Sequence, residues 1–332
     1  MTTFNGAQYL GEQLTSLSSQ TLKPIELVVC DDGSTDETVA ILKSFTELAP
    51  FAVRIFENAR RLGYQQNFMK AASMCRGSLI AFCDQDDVWY NNKLHVLAKY
   101  FMQTDHLAVS HDYSVFFEAS GQVIPSYFRY LALSGFSPVV NIKGCSLSLR
   151  RELIELVRWP TPRSNCSHDT WVCFTALLLE KRGYIKKQLI RHRIHRNNTS
   201  GKLTGGSATL HRLLRGFHLP PFTSRTDLDA FIAASVGPAD VRFYRQAVQQ
   251  CASAMTDNQR RHALGGLARR RAICDFVISE AYLNPVRRVI GALVLFLASA
   301  YRDSDGMHGL VQDILGHRNW MRHCSESTKM ES

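Results

Sequence analysis

Over the first 117 residues, short continuous apolar runs alternate with stretches in which apolar residues recur every three or four positions. Leu10, Leu14 and Leu17 share one face of a helix that Asn5 is placed to cap, and "IELVVC" then reads as a strand. In the turn "DDGSTDE", Ser34 and Glu37 have the spacing of a capping box for a helix running through Leu42. The strand "VRIFEN", a helix from Gln65 to Met74, the strand "SLIAFC" and a helix from Lys93 to Phe101 follow. "LAVSHDYSVFFE" reads as one or two strands. This alternation predicts an α/β domain with a mainly parallel sheet flanked by helices, whose ligands gather at the carboxyl ends of the strands.

From Gly121 to Arg196 the pattern is mixed. "NIKGCSLSLRRELIELV" leads from strand or loop into a helix, "HDTWVCFTALLLEK" is an amphipathic helix, and "GYIKKQLIRHRIH" reads as a small strand pair. A linker is expected at Gly201–Gly206, which divides a domain over 1–200 from a mostly helical region over 201–332. The run Val289 to Tyr301 is apolar but shorter than the ~20 residues a spanning helix needs, so it reads as buried or interfacial.

Charge changes the picture modestly. The 332 residues carry a net charge of +10, densest in the second region; the first 200 hold 22 basic and 18 acidic residues. Such a balance favours an anionic partner. The basic runs at Arg260, Arg269 and Arg287 lack the interleaved aromatics of a single-strand surface, so nucleic acid is not expected. Nine scattered cysteines with no C-x-x-C pair, and no leader pattern before them, point to a reducing, cytoplasmic setting.

Two acidic clusters each follow a strand: Asp31 and Asp32 after "ELVVC", and Asp84, Asp86 and Asp87 after "LIAFC". In a parallel sheet both strand ends lie on one edge, and carboxylates crowded there repel one another unless a cation sits between them. All-oxygen ligands suit Mg²⁺ or Mn²⁺, ions whose usual partner is a diphosphate. A solvated acidic loop is the plainer reading of either cluster alone.

In order and spacing, "MTTFNGAQYL", "DDGSTD", "ENARRLGYQQNF", "CDQDDVW", "GCSLSLRREL", "SHDTW" and "RHRIHRNNTSG" resemble glycosyltransferase family 2 enzymes of the GT-A fold, over about residues 1 to 200. Within the family they are most similar to bacterial rhamnosyltransferase-type enzymes that build cell-surface polysaccharide. The resemblance implies a nucleotide-diphosphate sugar donor, a saccharide or lipid-linked saccharide acceptor at the cytoplasmic membrane face, and Mg²⁺ or Mn²⁺. It implies that Thr2 and Asp32, with Asp31 beside them, contact the nucleobase and ribose. Asp84 would reach the ribose or metal, Asp86 would bind the metal, and Arg193 and His195 would lie near the diphosphate, His195 among the metal ligands. Asn67 and Gly144 would lie near the donor, Asp169 would be the general base, and Trp171 would shape the acceptor side.

Plainer readings stand beside these. Asp169 is equally placed as a helix-N-terminal acid, Trp171 as a core residue, His195 as a surface histidine, Asn67 as a capping or packing residue and Gly144 as a turn former. Family members normally run an apolar first strand into "TTFN", whereas Met1 here directly precedes Thr2. The reading therefore expects a missing first strand, impaired stability or activity, and a nucleotide-sugar-binding relic as the alternative to an enzyme. Phosphotransfer from a nucleophilic Asp is disfavoured, because the acids follow later strands rather than the first.

Overall fold

The computed structural model describes residues 1–133, 143–156, 167–196 and 198, with most of 247–268. Outside the described residues lie the expected linker at 201–206, the apolar run 289–301 and most of the expected C-terminal helices. The chain divides into two compact units, Met1–Trp159 with Lys181–Pro221, and Pro160–Glu180 with Phe222–Ser332.

In the first unit, β1 (Thr2–Thr3), β2 (Glu26–Asp31) and β3 (Ala52–Glu57) form a parallel sheet in that order, Thr3 opposite Asp31 and Asp31 opposite Glu57. β1 is only two residues long, and three hydrogen bonds tie it and Met1 to β2 and the residue after it. The Met1 ammonium donates to the Val28 carbonyl at 2.8 Å, Cys30 N donates to Met1 O at 3.1 Å, and Asp32 N donates to Thr3 O at 2.9 Å. The expectation of a missing first strand thus meets a short β1 that pairs with β2 alone among the described residues.

A second sheet has the order β4-β8-β6-β9-β5, formed by β4 (Leu79–Ala81), β5 (Val88–Trp89), β6 (Ala108–Phe117), β8 (Leu147–Arg150) and β9 (Arg182–Ile194), with β7 (Val123–Ile124) pairing β6. It is mixed: β6 and β9 run parallel and the other pairs antiparallel. β6 is one strand, and β9 is one strand of 13 residues rather than a pair. The pairing explains why β9 reads as two. Ile185 faces His111 and Gln188 faces Asp112, so exposed Lys186 and Lys187 are squeezed out of register and break the alternation.

The helices are α1 (Ala7–Ser18), α2 (Thr38–Leu48), α3 (Tyr64–Met74), α4 (Lys93–Gln103), α5 (Tyr127–Leu133), α6 (Arg151–Leu156) and α7 (His168–Leu178), the last in the second unit. α1 buries Leu10, Leu14 and Leu17, the predicted face, against Leu27, Val29 and Trp89. Each such leucine contributes about 1.5–3 kcal/mol. The predicted caps are not formed. Gly6, not Asn5, occupies the N-cap of α1. α2 starts at Thr38, whose amide donates to Asp36 Oδ1 at 3.0 Å, while Ser34 turns back to Asp31 Oδ1 at 2.6 Å. A carboxylate already present one turn earlier outcompetes the capping box.

Candidate active site

The carboxyl end of β2 leads into a turn in which Gly33 adopts φ 86°, a left-handed conformation that glycine tolerates without strain. Asp31 organises this turn. Its Oδ1 accepts from Thr3 Oγ1 at 2.7 Å, and its Oδ2 accepts from Gly33 N at 3.1 Å and Ser34 N at 2.8 Å. Asp32 reaches the other way, accepting from Leu62 N at 2.7 Å, Gly63 N at 2.8 Å and Asn58 Nδ2 at 2.9 Å. Asn67, buried on α3, accepts from Asn58 Nδ2 at 2.8 Å and donates to Cys30 O at 2.8 Å. Thr2 is buried one residue from the Thr3–Asp31 bond. Four of the residues expected at the nucleotide therefore converge, and the geometry gives Asp31, Asp32 and Asn67 an evident role as the framework of that end of the sheet.

The second acidic cluster joins β4 to β5. One carboxylate oxygen from each of Asp84, Asp86 and Asp87 lies within 4.8 Å of the others. Asp86 Oδ2 lies 2.8 Å from His195 Nε2, and Asn198 Nδ2 approaches the same oxygen at 3.4 Å. Asp87 is fully buried, accepts from His192 Nδ1 at 2.7 Å and from Arg193 N at 3.1 Å, and keeps Oδ2 without a nitrogen or oxygen partner. This donor set fits a hard divalent cation. Its oxygens are mutually close, one is buried and unpartnered, and an imidazole nitrogen joins them. Asp84, Asp86 and His195 are the residues to hold it, with Asp87 in reach.

Three residues of the β9 end grip this loop. Besides the His192 and His195 contacts, Arg193 Nε donates to Asp86 O at 3.1 Å. The Arg193 guanidinium pairs with Glu12 of α1 and lies 3.9 Å from Glu118, over the Tyr9 ring at 5.0 Å. Tyr9 donates to Glu118 at 2.8 Å and its ring centre is 4.4 Å from that of His195. Burial, then the Glu118 carboxylate, pushes Tyr9 up to about 12, so it remains a donor. Sequence reasoning placed Arg193 at the diphosphate and missed Glu12 and Glu118, whose separation in the chain offers no local signal.

Beneath the loop, α1 and α4 supply buried polar groups that the sequence did not disclose. With its amide oriented to suit both neighbours, Gln13 donates to Asp87 O and accepts from Trp89 Nε1 at 3.2 Å. Lys93 is entirely buried, donating to Cys145 O at 3.1 Å with its ammonium 3.7 Å from the Trp89 ring centre. Burial lowers Lys93 to about 8. Folded protein thus releases this proton more easily than unfolded chain does, and between about pH 8 and the ordinary lysine value near 10.4 stability rises with pH. Relative to Lys93→Met, wild type is expected to gain stability across that window and to show no such gain below pH 7. Urea unfolding of both proteins at stepped pH checks this, and a pH-independent difference contradicts it.

Gly144 begins a buried 3-10 turn, Gly144–Ser146, just before β8. Burial alone would discharge His192, but the Asp87 carboxylate beside it holds its imidazole well above the usual histidine range. Asp169 and Trp171 belong to the second unit. Asp169 sits in the first turn of α7, where Oδ1 accepts from Thr170 N at 2.8 Å and from the Ser167 hydroxyl. Trp171 is buried among the largely apolar residues of α7. No helix among the described residues is long and apolar enough to cross a membrane.

The family model described as glycosyl transferase family 2 matches residues 1–169, just over half of the chain. The chain belongs to glycosyl transferase family 2. Several glycosyltransferases are similar to parts of its length. An uncharacterised glycosyltransferase of Nostoc is 33% identical over 108 residues, 32% of this chain and 33% of that protein. The dTDP-rhamnosyl transferase RfbG of Shigella flexneri is 25% identical over 224 residues, 64% of this chain and 78% of its own. The Escherichia coli glucosyltransferase WfaP, named for UDP-Glc and GlcNAc-diphosphoundecaprenol, is 27% identical over 152 residues, 42% of this chain and 53% of its own. The chain thus spans about a third of the Nostoc protein and over three quarters of RfbG. Among solved structures, S. aureus TarS 1–349 with UDP-GlcNAc superposes with a TM-score of 0.55 at 16% identity, covering 96% of this chain and 90% of that one. The fold is the GT-A fold expected for the family.

Proposed function

We propose that this chain transfers a hexose from a nucleoside-diphosphate sugar to a hydroxyl of a cell-surface polysaccharide or lipid-linked oligosaccharide, with inversion and with a divalent cation. The observation that carries this reading is the donor set of Asp86 Oδ2 and His195 Nε2, 2.8 Å apart, with the carboxylates of Asp84 and Asp87 beside them. A cation held there, Mg²⁺ or Mn²⁺, supplies Lewis-acid stabilisation for the negative charge of the departing diphosphate. Thr2, Asp31, Asp32 and Asn67 build the end of the sheet that takes the nucleoside, and Gly144 lies at the sugar. Arg193 orients the acidic loop through Asp86 O, and Asp169 removes the acceptor proton. Trp171 supports the helix that carries Asp169.

Rhamnose is the favoured sugar, supported by the coverage of RfbG, named a dTDP-rhamnosyl transferase, along most of its length. A lipid-diphosphate acceptor is supported by the name of WfaP and would bring the enzyme to the cytoplasmic membrane face. The test is a thermal-shift screen of dTDP-rhamnose, UDP-glucose and UDP-GlcNAc, each with Mn²⁺, Mg²⁺ or EDTA, followed by product release with lipid-linked acceptors. At a hundredfold excess over Kd, ligand linkage predicts about 2.7 kcal/mol of stabilisation, present with metal and absent with EDTA. dTDP-rhamnose is expected to give the largest shift. Binding without turnover would assign a nucleotide-sugar-binding protein, and no shift with any donor would overturn the reading.

A further inference from the structure

His195 and Arg193 hold Asp86 by different handles, and one aromatic ring lies against both of them. His195 Nε2 meets the Asp86 carboxylate at 2.8 Å, and Arg193 Nε donates to the Asp86 carbonyl at 3.1 Å. The two residues stand two positions apart where β9 ends, the spacing that puts side chains on one side of an extended chain. Tyr9 fills that side. Its ring centre is 4.4 Å from that of His195 with the ring planes 38° apart, and the Arg193 guanidinium lies over the same ring at 5.0 Å.

Tyr9 is itself fixed from two directions. It belongs to the first turn of α1, where its neighbour Leu10 is buried in the core. Its hydroxyl donates at 2.8 Å to Glu118 Oε2, just past the end of β6. Strand pairing places Glu118 beside the end of β9, since the Glu118 amide donates to Ile194 O at 3.0 Å. Glu12, one turn along α1 from Tyr9, pairs with the Arg193 guanidinium, and Glu118 stands 3.9 Å from it. The charge of Arg193 is thus met by these two carboxylates, while its side-chain bond to the acidic loop goes to a backbone carbonyl. The loop carboxylates keep their charge for a cation.

We propose that Tyr9 is a positioning residue for the metal site: its ring sets the plane of His195, and with it the direction in which Nε2 and the Asp86 carboxylate meet a divalent cation. This rests on the donor-site reading above. A metal-ligating imidazole depends on groups outside the coordination sphere to fix its ring, and loss of such support costs about 10–100-fold in metal affinity. Here a neighbouring aromatic ring supplies it by contact. A purely structural role for Tyr9 would be to pack the start of α1 against the strand ends, and the two roles differ in what they do to metal binding.

The measurement is Mn²⁺ uptake by the full chain in the presence of UDP or dTDP, read from the electron paramagnetic resonance of free Mn²⁺, with melting temperature followed in parallel. Tyr9→Leu removes the ring and is expected to weaken Mn²⁺ uptake by about tenfold. Tyr9→Phe loses the bond to Glu118 but keeps the ring against His195, so it is expected to retain most of the affinity. Tyr9→Met takes the place of Tyr9→Leu should that variant not fold.

A double-mutant cycle asks whether the ring acts through the imidazole. In a His195→Ala background, where the three loop carboxylates remain, Tyr9→Leu is expected to cost nothing further in Mn²⁺ affinity. An equal loss in both backgrounds would show a ring that touches the nucleotide or supports the fold, and would overturn the proposal. Wild-type Mn²⁺ affinity in Tyr9→Leu, whatever its melting temperature, would overturn it too, as would Tyr9→Phe proving as weak as Tyr9→Leu. Wild type that takes up no Mn²⁺ with either nucleotide would overturn the donor-site reading and this proposal with it.

Discussion

Asp86→Asn is expected to lower turnover by about a thousandfold or more, at any Mn²⁺ concentration that leaves the protein soluble. The substitution keeps the size of the side chain, and an amide oxygen can stand where Asp86 Oδ2 now lies, 2.8 Å from His195 Nε2. The backbone placement is also retained, because Arg193 Nε bonds the carbonyl of residue 86, not its carboxylate. What disappears is one full negative charge at the cation. Lewis-acid stabilisation of the leaving diphosphate amounts to several kcal/mol, and each 1.36 kcal/mol is tenfold in rate, so losing about 4 kcal/mol of it gives the expected factor. Release of nucleoside diphosphate over a Mn²⁺ series measures the effect. Activity within tenfold of wild type would remove Asp86 from the metal site and leave the acidic loop as scaffold.

The parts of this molecule that were legible in its sequence are those set by short-range pattern. α1, α3 and α4 fall where periodicity predicts them, and both acidic clusters follow strands. The ordered motifs placed Asp31, Asp32 and Asn67 at one sheet end and Asp84, Asp86 and His195 at one cluster, and the structure brings each group together. What stayed hidden depends on partners distant in the chain. The pairing of Glu12 and Glu118 with Arg193, the burial of Lys93 beside Cys145 and the Asp87–His192 bond join residues from 52 to 181 positions apart. A histidine or lysine in a polar stretch carries no mark of such a partner. The failed capping box at Ser34 has the same origin, since Asp31 and Asp36 claim the hydrogen bonds that the local pattern assigns elsewhere.

Asp169→Asn separates the two roles open to that residue. Asp169 lies in the first turn of α7, where the Ser167 cap and its own Oδ1 both accept from Thr170 N, and the family match ends on it. As a helix-N-terminal acid it contributes about 0.3–1 kcal/mol through the helix dipole, so the amide would lower the melting temperature slightly and leave turnover unchanged. As the base it takes the acceptor proton, a task an amide cannot perform, and the loss is about 10²–10⁴-fold in kcat. The proposed reaction predicts the second outcome. The same variant should bind donor as tightly as wild type, because deprotonating the acceptor leaves the donor's own contacts untouched. Acceptor-dependent turnover, donor affinity and melting temperature of the one variant therefore decide the matter: a kcat loss of this size with donor binding intact assigns the base, and a lower melting temperature with full turnover assigns the helix acid.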